Sequence, residues 1–355
     1  MKLLFAGGGT MGSVTSLLAV VEELKDKNPD VDFYWLGTKD GPEKSVVRQY
    51  NIEFKAVASG KLRRYFSSLN FIDIFKIALG FFQSFIFILK YKPGVIVSAG
   101  GYVAVPVVWA GWLMGIPSLI HQQDARPGLA NKLCAVTAKI ITVCFPESVK
   151  NFKQRKVQVI GNPVRQEIKN PKSKIQNLLD KYKLNKKLPI VLIVGGGKGA
   201  RPINKLVEDS IKELVKFCQI VHVTGIMNYE SRIMNYGNYY KYDFLVDSTE
   251  VLQLADLIVS RAGMGTLTEI AYLAKPAIII PIPNSHQVDN ALYFYERGAV
   301  EILDQTELAG EKFVKRIRNL LSDKKKMKEF GEKAQRVIKW GAEEKIAGLI
   351  LSLAK

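Results

Sequence analysis

Two glycine clusters limit the fold more than any other feature: Gly7-Gly8-Gly9 and Gly195-Gly196-Gly197 each follow a short apolar run directly. Glycine is needed where the backbone turns sharply or must approach a ligand closely, and a strand, a glycine turn and a helix together make one βα unit. In the first half, residues 2–6 are the apolar run and residues 10–24 carry helical apolar spacing. Further strand-like runs follow at 31–37, 94–98, 118–121 and 139–144, separated by helical patterns. After Asn162 the scheme starts again, with runs at 190–194, 219–223, 256–260 and 277–281.

Strands alternating with helices predict parallel sheets covered on both sides. The expected fold class is therefore α/β, with two Rossmann-like domains facing a cleft. Asn162-Pro163 and the lysine-rich stretch 169–187 read as a connector and an exposed helix, which places the hinge near residue 163. The expected domains are 1–162 and 163–355, with the last helix a candidate to return to the first domain. A chain of 355 residues that is 48% hydrophobic can bury two such cores.

Composition removes several function classes. Cys134, Cys144 and Cys218 sit in apolar stretches without metal-ligand spacing, so neither a disulfide framework nor a metal site is expected. The opening MKLLFA reaches Gly7 before it could supply a leader core of roughly 7–15 apolar residues, and it reads as a first strand. A net charge of +18 calls for an anionic partner: nucleic acid, anionic lipid or a phosphorylated substrate. The lysines are scattered rather than interleaved with aromatic stacking platforms, so no nucleic acid is expected.

Residues 71–89, FIDIFKIALGFFQSFIFIL, approach the length of a membrane span. Asp73, Lys76, Gly80, Gln83 and Ser84 recur every three or four residues, which makes the helix amphipathic rather than spanning. Lys61, Arg63 and Arg64 precede it and Lys90 and Lys92 follow it. An apolar face rimmed by cations suits an anionic bilayer surface; a buried domain helix with solvated ends needs the same apolar stripe.

The first loop, GGGTMGSV, only approximates the dinucleotide fingerprint and lacks its acidic ribose partner, which argues against a dehydrogenase. Taken together, seven blocks resemble the MurG family in their order: GGGTMGSV, SAGGYVAVP (98–106), GIPSLIHQQDARPGLANK (115–132), GNPVR (161–165), GGGKGARPIN (195–204), SRAGMGTLTEIA (260–271) and HQVDNA (286–291). The resemblance runs nearly end to end. It implies a metal- and cofactor-independent inverting glycosyltransferase of the two-Rossmann (GT-B) type, peripheral to the cytoplasmic face of the membrane. Such an enzyme moves N-acetylglucosamine from UDP-GlcNAc to undecaprenyl-linked muramoyl-pentapeptide in peptidoglycan synthesis.

By the same resemblance, Glu269 holds the ribose hydroxyls, and His286, Gln287 and Asn290 lie at the sugar. Phe244 and Leu245 form the uracil wall, Arg165 lies near the uridine, and Gly196, Gly197 and Lys198 approach the diphosphate. Taken as a lone residue, Glu269 also fits a helix N-terminal charge favoured by the dipole. Thr10, Gly12 and Asn131 complete the substrate-binding set, and Gly9, Tyr102 and Gln122 lie on the acceptor side. His222 reads as structural.

The departures concern the chemistry. Met11 stands where the family has glycine, Ser13 where it has histidine, and Gln122 and Asp124 where it has Glu and Asn; Lys198 replaces a neutral residue. A serine alone cannot take the acceptor proton at neutral pH. The expected catalytic group is therefore His121, Asp124 and Ser13, with the base either Asp124 or His121 oriented by Asp124. Two alternatives stand beside the main reading: a related transferase with another lipid or sugar acceptor, and a nucleotide-sugar-binding protein that has lost catalysis.

Overall fold

Aliphatic runs such as LLFA, VIVS, IVLIV and LIVS lack polar alternation, and they form strands buried on both faces. The computed structural model describes residues 1–61, 69–171, 173–196, 199–225, 236–245, 248–307 and 309–354. The chain divides into two compact units, one of residues 1–165 with 339–355 and one of residues 166–338.

The first unit runs β1 (Lys2–Ala6), α1 (Met11–Lys27), β2 (Asp32–Gly37), α2 (Glu43–Gln49), β3 (Glu53–Ala56), α3 (Leu69–Tyr91), β4 (Val95–Ser98), α4 (Ala104–Leu113), β5 (Ser118–Gln122), α5 (Leu129–Thr137), β6 (Ile140–Val143) and β7 (Val157–Val159). Among the described residues these strands form a seven-stranded parallel sheet in the order β3-β2-β1-β4-β5-β6-β7. Successive side chains of β1 serve opposite cores. Leu3 and Phe5 pack with the apolar face of α1, while Leu4 and Ala6 pack with α4 and the C-terminal turns of α3.

The second unit begins with α6 (Gln166–Lys169) and α7 (Ile175–Lys181). It continues β8 (Ile190–Val194), α8 (Arg201–Leu214), β9 (Gln219–Val223), β10 (Tyr239–Tyr242), α9 (Ser248–Leu254), β11 (Leu257–Ser260), α10 (Met264–Tyr272), β12 (Ala277–Ile279), α11 (His286–Tyr295), β13 (Glu301–Ile302), α12 (Gly310–Ser322) and α13 (Lys324–Val337). Its described strands form a six-stranded parallel sheet, β10-β9-β8-β11-β12-β13. Val191 and Ile193 pack under α8 and α12. The short strands β3, β7, β10 and β13 lie outside the sequence reading, because two to four residues carry too little pattern to identify.

Both sheets reverse winding direction beside their first strand, at β1/β4 and at β8/β11, and the crevice at such a switch is where α/β folds bind ligands. Each glycine cluster therefore opens onto its own sheet's switch point.

The polar stripe of α3 faces inward except at exposed Lys76. Asp73, Gly80 and Ser84 are buried, and the Gln83 Oε1 accepts the Ala58 N–H at 2.7 Å. A Cβ on Gly80 would lie 1.9 Å from the Ala58 carbonyl oxygen, so glycine lets the helix seat on segment 58–60. The apolar side is left outside, with Phe75 76% and Phe82 and Ile86 63% exposed. Of the two alternatives left open by the sequence, this arrangement goes against a buried domain helix, since the stripe that packs is the polar one. Residues 71–91 within α3 are long and apolar enough to cross a membrane by length and composition. Lys61, Lys90 and Lys92 are exposed near its ends, and Arg63 and Arg64 lie outside the described residues.

The last helix, α14 (Ala342–Leu353), packs Ile346, Ala347 and Ile350 into the core beneath α1. Its buried Glu343 accepts the Val164 N–H at 3.3 Å. Gly161 has φ +92°, and a Cβ there would fall 1.8 Å from the Lys339 carbonyl oxygen. Gly161→Ala is expected to destabilise the chain by about 1–3 kcal/mol through strain and overpacking, read as a lower denaturant midpoint; an unchanged midpoint would contradict the crowding described.

Candidate active site

In the first unit the sheet ends in a glycine turn that delivers α1. Thr10 is the exposed N-cap residue in extended conformation, and its side chain makes no capping bond. The first amides of a helix have no intrahelical partner and carry the positive end of its dipole. Gly9 has φ +82° and lies under the Tyr102 ring, whose Cε1 would be 2.7 Å from a Cβ at that position. Tyr102 follows Gly100 and Gly101, which end β4 at the same switch point. Burial and then the Glu43 charge raise its phenol above the usual range.

Gly12 and Ser13 form the first turn of α1. Oriented to satisfy both groups, the Gln123 side-chain amide donates to the Gly12 carbonyl and accepts the Ser13 N–H, each at 3.2 Å. Ser13 is buried and its Oγ has no hydrogen-bond partner among the described residues. Among the described residues no base is hydrogen-bonded to it to activate a proton transfer.

His121 occupies a different setting from the one expected. It is fully buried on β5, with Nδ1 3.0 Å from the Thr142 Oγ1 and Nε2 2.8 Å from the Asn162 Oδ1. Burial lowers its pKa from 6.5 to about 4, against a smaller raising effect of the Asn162 bond. Both nitrogens are committed, so Asp124 does not orient this imidazole. His121 is a neutral structural residue, as is His222. The latter bonds the Tyr239 hydroxyl at 3.0 Å and the Asn204 Oδ1 at 3.1 Å, and burial brings its pKa to about 3.

Gln122 and Asn131 likewise turn inward. The Asn131 Nδ2 donates to the Gln122 Oε1 at 2.6 Å and to the His121 carbonyl at 3.2 Å, and the Gln122 Nε2 donates to the Asp124 carbonyl at 2.8 Å. This pair fixes the end of β5 and delivers Asp124, which is only partly buried. Arg165, also partly buried, ends the first unit.

In the second unit three adjacent strand ends, β8, β11 and β12, carry the other candidates. After β8, Gly196 has φ +91° and open space where a Cβ would lie, while Gly199 packs against the Thr224 carbonyl. Gly197 and Lys198 lie outside the described residues. After β11, Gly263 starts α10, and partly buried Glu269 is the sixth residue of that helix. It stands in the second turn and not at the N-terminal end, which removes the reading of a dipole-stabilising first-turn acid.

Ser285 caps α11 by accepting the Gln287 N–H at 3.2 Å; His286 is exposed, and the Gln287 Oε1 accepts the Ile282 N–H at 3.2 Å. Asn290 is fully buried and donates to the Ala262 carbonyl at 3.1 Å, which ties α11 to the loop before α10. Arg261 reinforces that loop through bonds to the Ile280 and Pro281 carbonyls at 2.9 and 3.2 Å. Phe244, 47% exposed, and Leu245 follow β10.

Residues 3–143 match the glycosyltransferase family 28 N-terminal domain, and residues 190–346 match the family 28 C-terminal domain. The chain belongs to glycosyltransferase family 28. A family relative from Clostridium tetani (strain Massachusetts / E88) is 34% identical, aligned over 92% of this chain and 91% of that protein. One from Clostridium novyi (strain NT) is 35% identical over 92% of each. Both are named UDP-N-acetylglucosamine–N-acetylmuramyl-(pentapeptide) pyrophosphoryl-undecaprenol N-acetylglucosamine transferase. The crystal structure of Acinetobacter baumannii MurG superposes with a TM-score of 0.73 at 26% identity, covering 99% of each chain. The MurG resemblance read from the seven blocks is thus shown, and with it the two-domain α/β fold of family 28 transferases.

Gln123, Arg261 and Asn162 escape a reading by motif because they act through other residues. Their signal in the sequence is only a polar side chain inside an apolar strand-end block. The two buried imidazoles also set a pH dependence. The unfolded chain takes up protons near pH 6.5 while the folded histidines resist until about pH 4 and about pH 3, so stability falls as pH drops below 6.5. Each contributes a slope of ~1.4 kcal/mol per pH unit over its window. His121→Gln is expected to lessen the slope of stability against pH below 6.5 by about that amount in denaturant titrations, whereas an unaltered slope would mean that the imidazole protonates freely in the fold.

Proposed function

We propose that this family 28 member transfers N-acetylglucosamine, with inversion, from UDP-GlcNAc to undecaprenyl-linked muramoyl-pentapeptide. The observation that carries the reading is the agreement of both halves with family 28, together with relatives of that named activity aligned over nine-tenths of the chain. On this reading the second unit takes the donor. Glu269 accepts hydrogen bonds from the ribose, Phe244 and Leu245 face the base, and Gln287 and His286 meet the sugar. Gly196, Gly197 and Lys198, with the amides beginning α8, hold the diphosphate, whose charge suits a helix N-terminus. Asn290 acts by holding the loop in place, and Arg165 contributes a guanidinium at the uridine.

The first unit takes the acceptor. The turn from Gly9 to Gly12 offers the amides of Thr10, Met11 and Gly12 to the acceptor diphosphate, with Tyr102 beside it. The acceptor hydroxyl attacks the anomeric carbon, the bond to the UDP oxygen breaks, and Asp124 receives the hydroxyl proton. With His121 sealed in the sheet and Ser13 lacking a base, Asp124 is the remaining candidate of the three. General-base removal typically costs about 10²–10⁴ in rate. Asp124→Asn is expected to lose at least a hundredfold in turnover with radiolabelled UDP-GlcNAc while UDP affinity by calorimetry stays within about twofold; full turnover would exclude Asp124. An absence of heat when UDP is titrated into the folded wild-type protein would remove the donor site itself.

The enzyme works at the cytoplasmic face of the membrane, held there by the outer side of α3 on an anionic surface. Phe71, Ile72, Phe75, Leu79, Phe82 and Ile86 are exposed in a chain of charge +18, and the neighbouring α4 exposes Trp112 and Leu113. Burying a phenylalanine is worth ~1.5–3 kcal/mol. Phe75→Ser with Phe82→Ser should therefore lower the partition coefficient onto anionic vesicles, read by sedimentation, by at least about a hundredfold and leave transfer to a detergent-solubilised acceptor in place. Equal sedimentation of variant and wild type would place membrane contact elsewhere.

A further inference from the structure

A buried carboxylate outside the motifs sits directly behind the first glycine turn. Glu43 begins α2 and is fully buried. Its Oε2 accepts the Gly9 N–H at 3.2 Å, and its Oε1 accepts the Thr38 N–H at 2.7 Å and the Thr38 hydroxyl at 2.5 Å. The carboxylate is wedged between two glycines: a Cβ on Gly8 would lie 2.1 Å from Oε1, and one on Gly41 would lie 2.0 Å from Oε2. The Thr38 hydroxyl also meets the Tyr102 phenol, and the Tyr102 ring covers Gly9, so the contacts close a circuit from β1 through β2 to the β4 turn.

Burying a charge is costly unless several donors converge on it. Here three donors do, and one of them is the amide of Gly9, immediately before Thr10, the N-cap residue of α1. The donor groups of this turn are thereby divided: Gly9 is drawn back onto the carboxylate, Ser13 onto the Gln123 side chain, and the amides of Thr10, Met11 and Gly12 between them are not capped by the Thr10 side chain. An amide in place of the carboxylate could not accept all three bonds, because one of its two atoms would turn N–H against N–H.

We infer that Glu43 is a positioning residue, which fixes the Gly9–Gly12 turn in the shape that receives the diphosphate of the lipid-linked acceptor. The inference rests on the proposed transferase reading and deepens its acceptor side. Losing one charge-assisted hydrogen bond at the turn corresponds to a factor of roughly ten in acceptor binding. Glu43→Gln is thus expected to raise the KM for the lipid acceptor about tenfold, with the KM for UDP-GlcNAc within about twofold. Thr38→Val, which keeps the carboxylate and removes one donor, should raise the acceptor KM about threefold and decides the matter if Glu43→Gln does not fold. A purely structural role would lower the thermal midpoint and the active fraction without moving either KM, and that result would overturn the inference. A wild-type protein that binds UDP yet transfers sugar to no lipid acceptor would overturn the proposed reaction and the Glu43 role together. A wild-type enzyme that transfers normally, beside variants with unchanged acceptor KM, overturns the Glu43 role alone.

Discussion

Parallel strands direct every carboxyl end to one edge of a sheet, and this one constraint organises the functional parts of both units. A parallel ladder needs a crossover helix after each strand, so each strand end is also the start of a turn and a helix. Where winding reverses, at β1/β4 and β8/β11, two such turns diverge and leave a crevice floored by glycine and walled by helix amides. The chemistry assigned to this chain needs little more than amide donors for phosphates and a few side chains for sugar hydroxyls. Both follow from the ladder.

The interior polar groups serve that edge. His121 with Thr142 and Asn162, Asn131 with Gln122, and Asn290 with the Ala262 carbonyl each lie just beneath a strand end and lock it. The hydrogen bonds they make stiffen the strand ends, and a rigid strand end holds its turn in one shape.

The fold was largely legible in the sequence, because unbroken apolar runs ending in glycine can be little other than buried parallel strands. The turn residues Gly9, Thr10 and Gly196 were legible for the same reason. Side-chain direction was not. His121 and Asn290 lie inside blocks that resemble a family's substrate-binding motifs, but a motif gives order along the chain and not which way a residue points from a strand or a helix. The α3 stripe left two alternatives open for a related cause: amphipathic spacing shows that two faces differ, while which face packs depends on the surface it meets. There, Gly80 and Gln83 fit segment 58–60 and the phenylalanines do not. Glu43 was invisible because its partners come from β1 and β2, 34 and 5 residues away, with no shared motif.

The return of α14 to the core beneath α1 makes the first unit discontinuous in the chain. Leu17, Val21 and Leu24 share their cluster with Ile346 and Ile350, so residues 1–165 emerging from a ribosome carry an unfilled apolar groove while the whole second unit is still being made. The half that bears the exposed apolar helix α3 is therefore the half that finishes folding last. For this chain, the order of synthesis and the order of completion run in opposite directions.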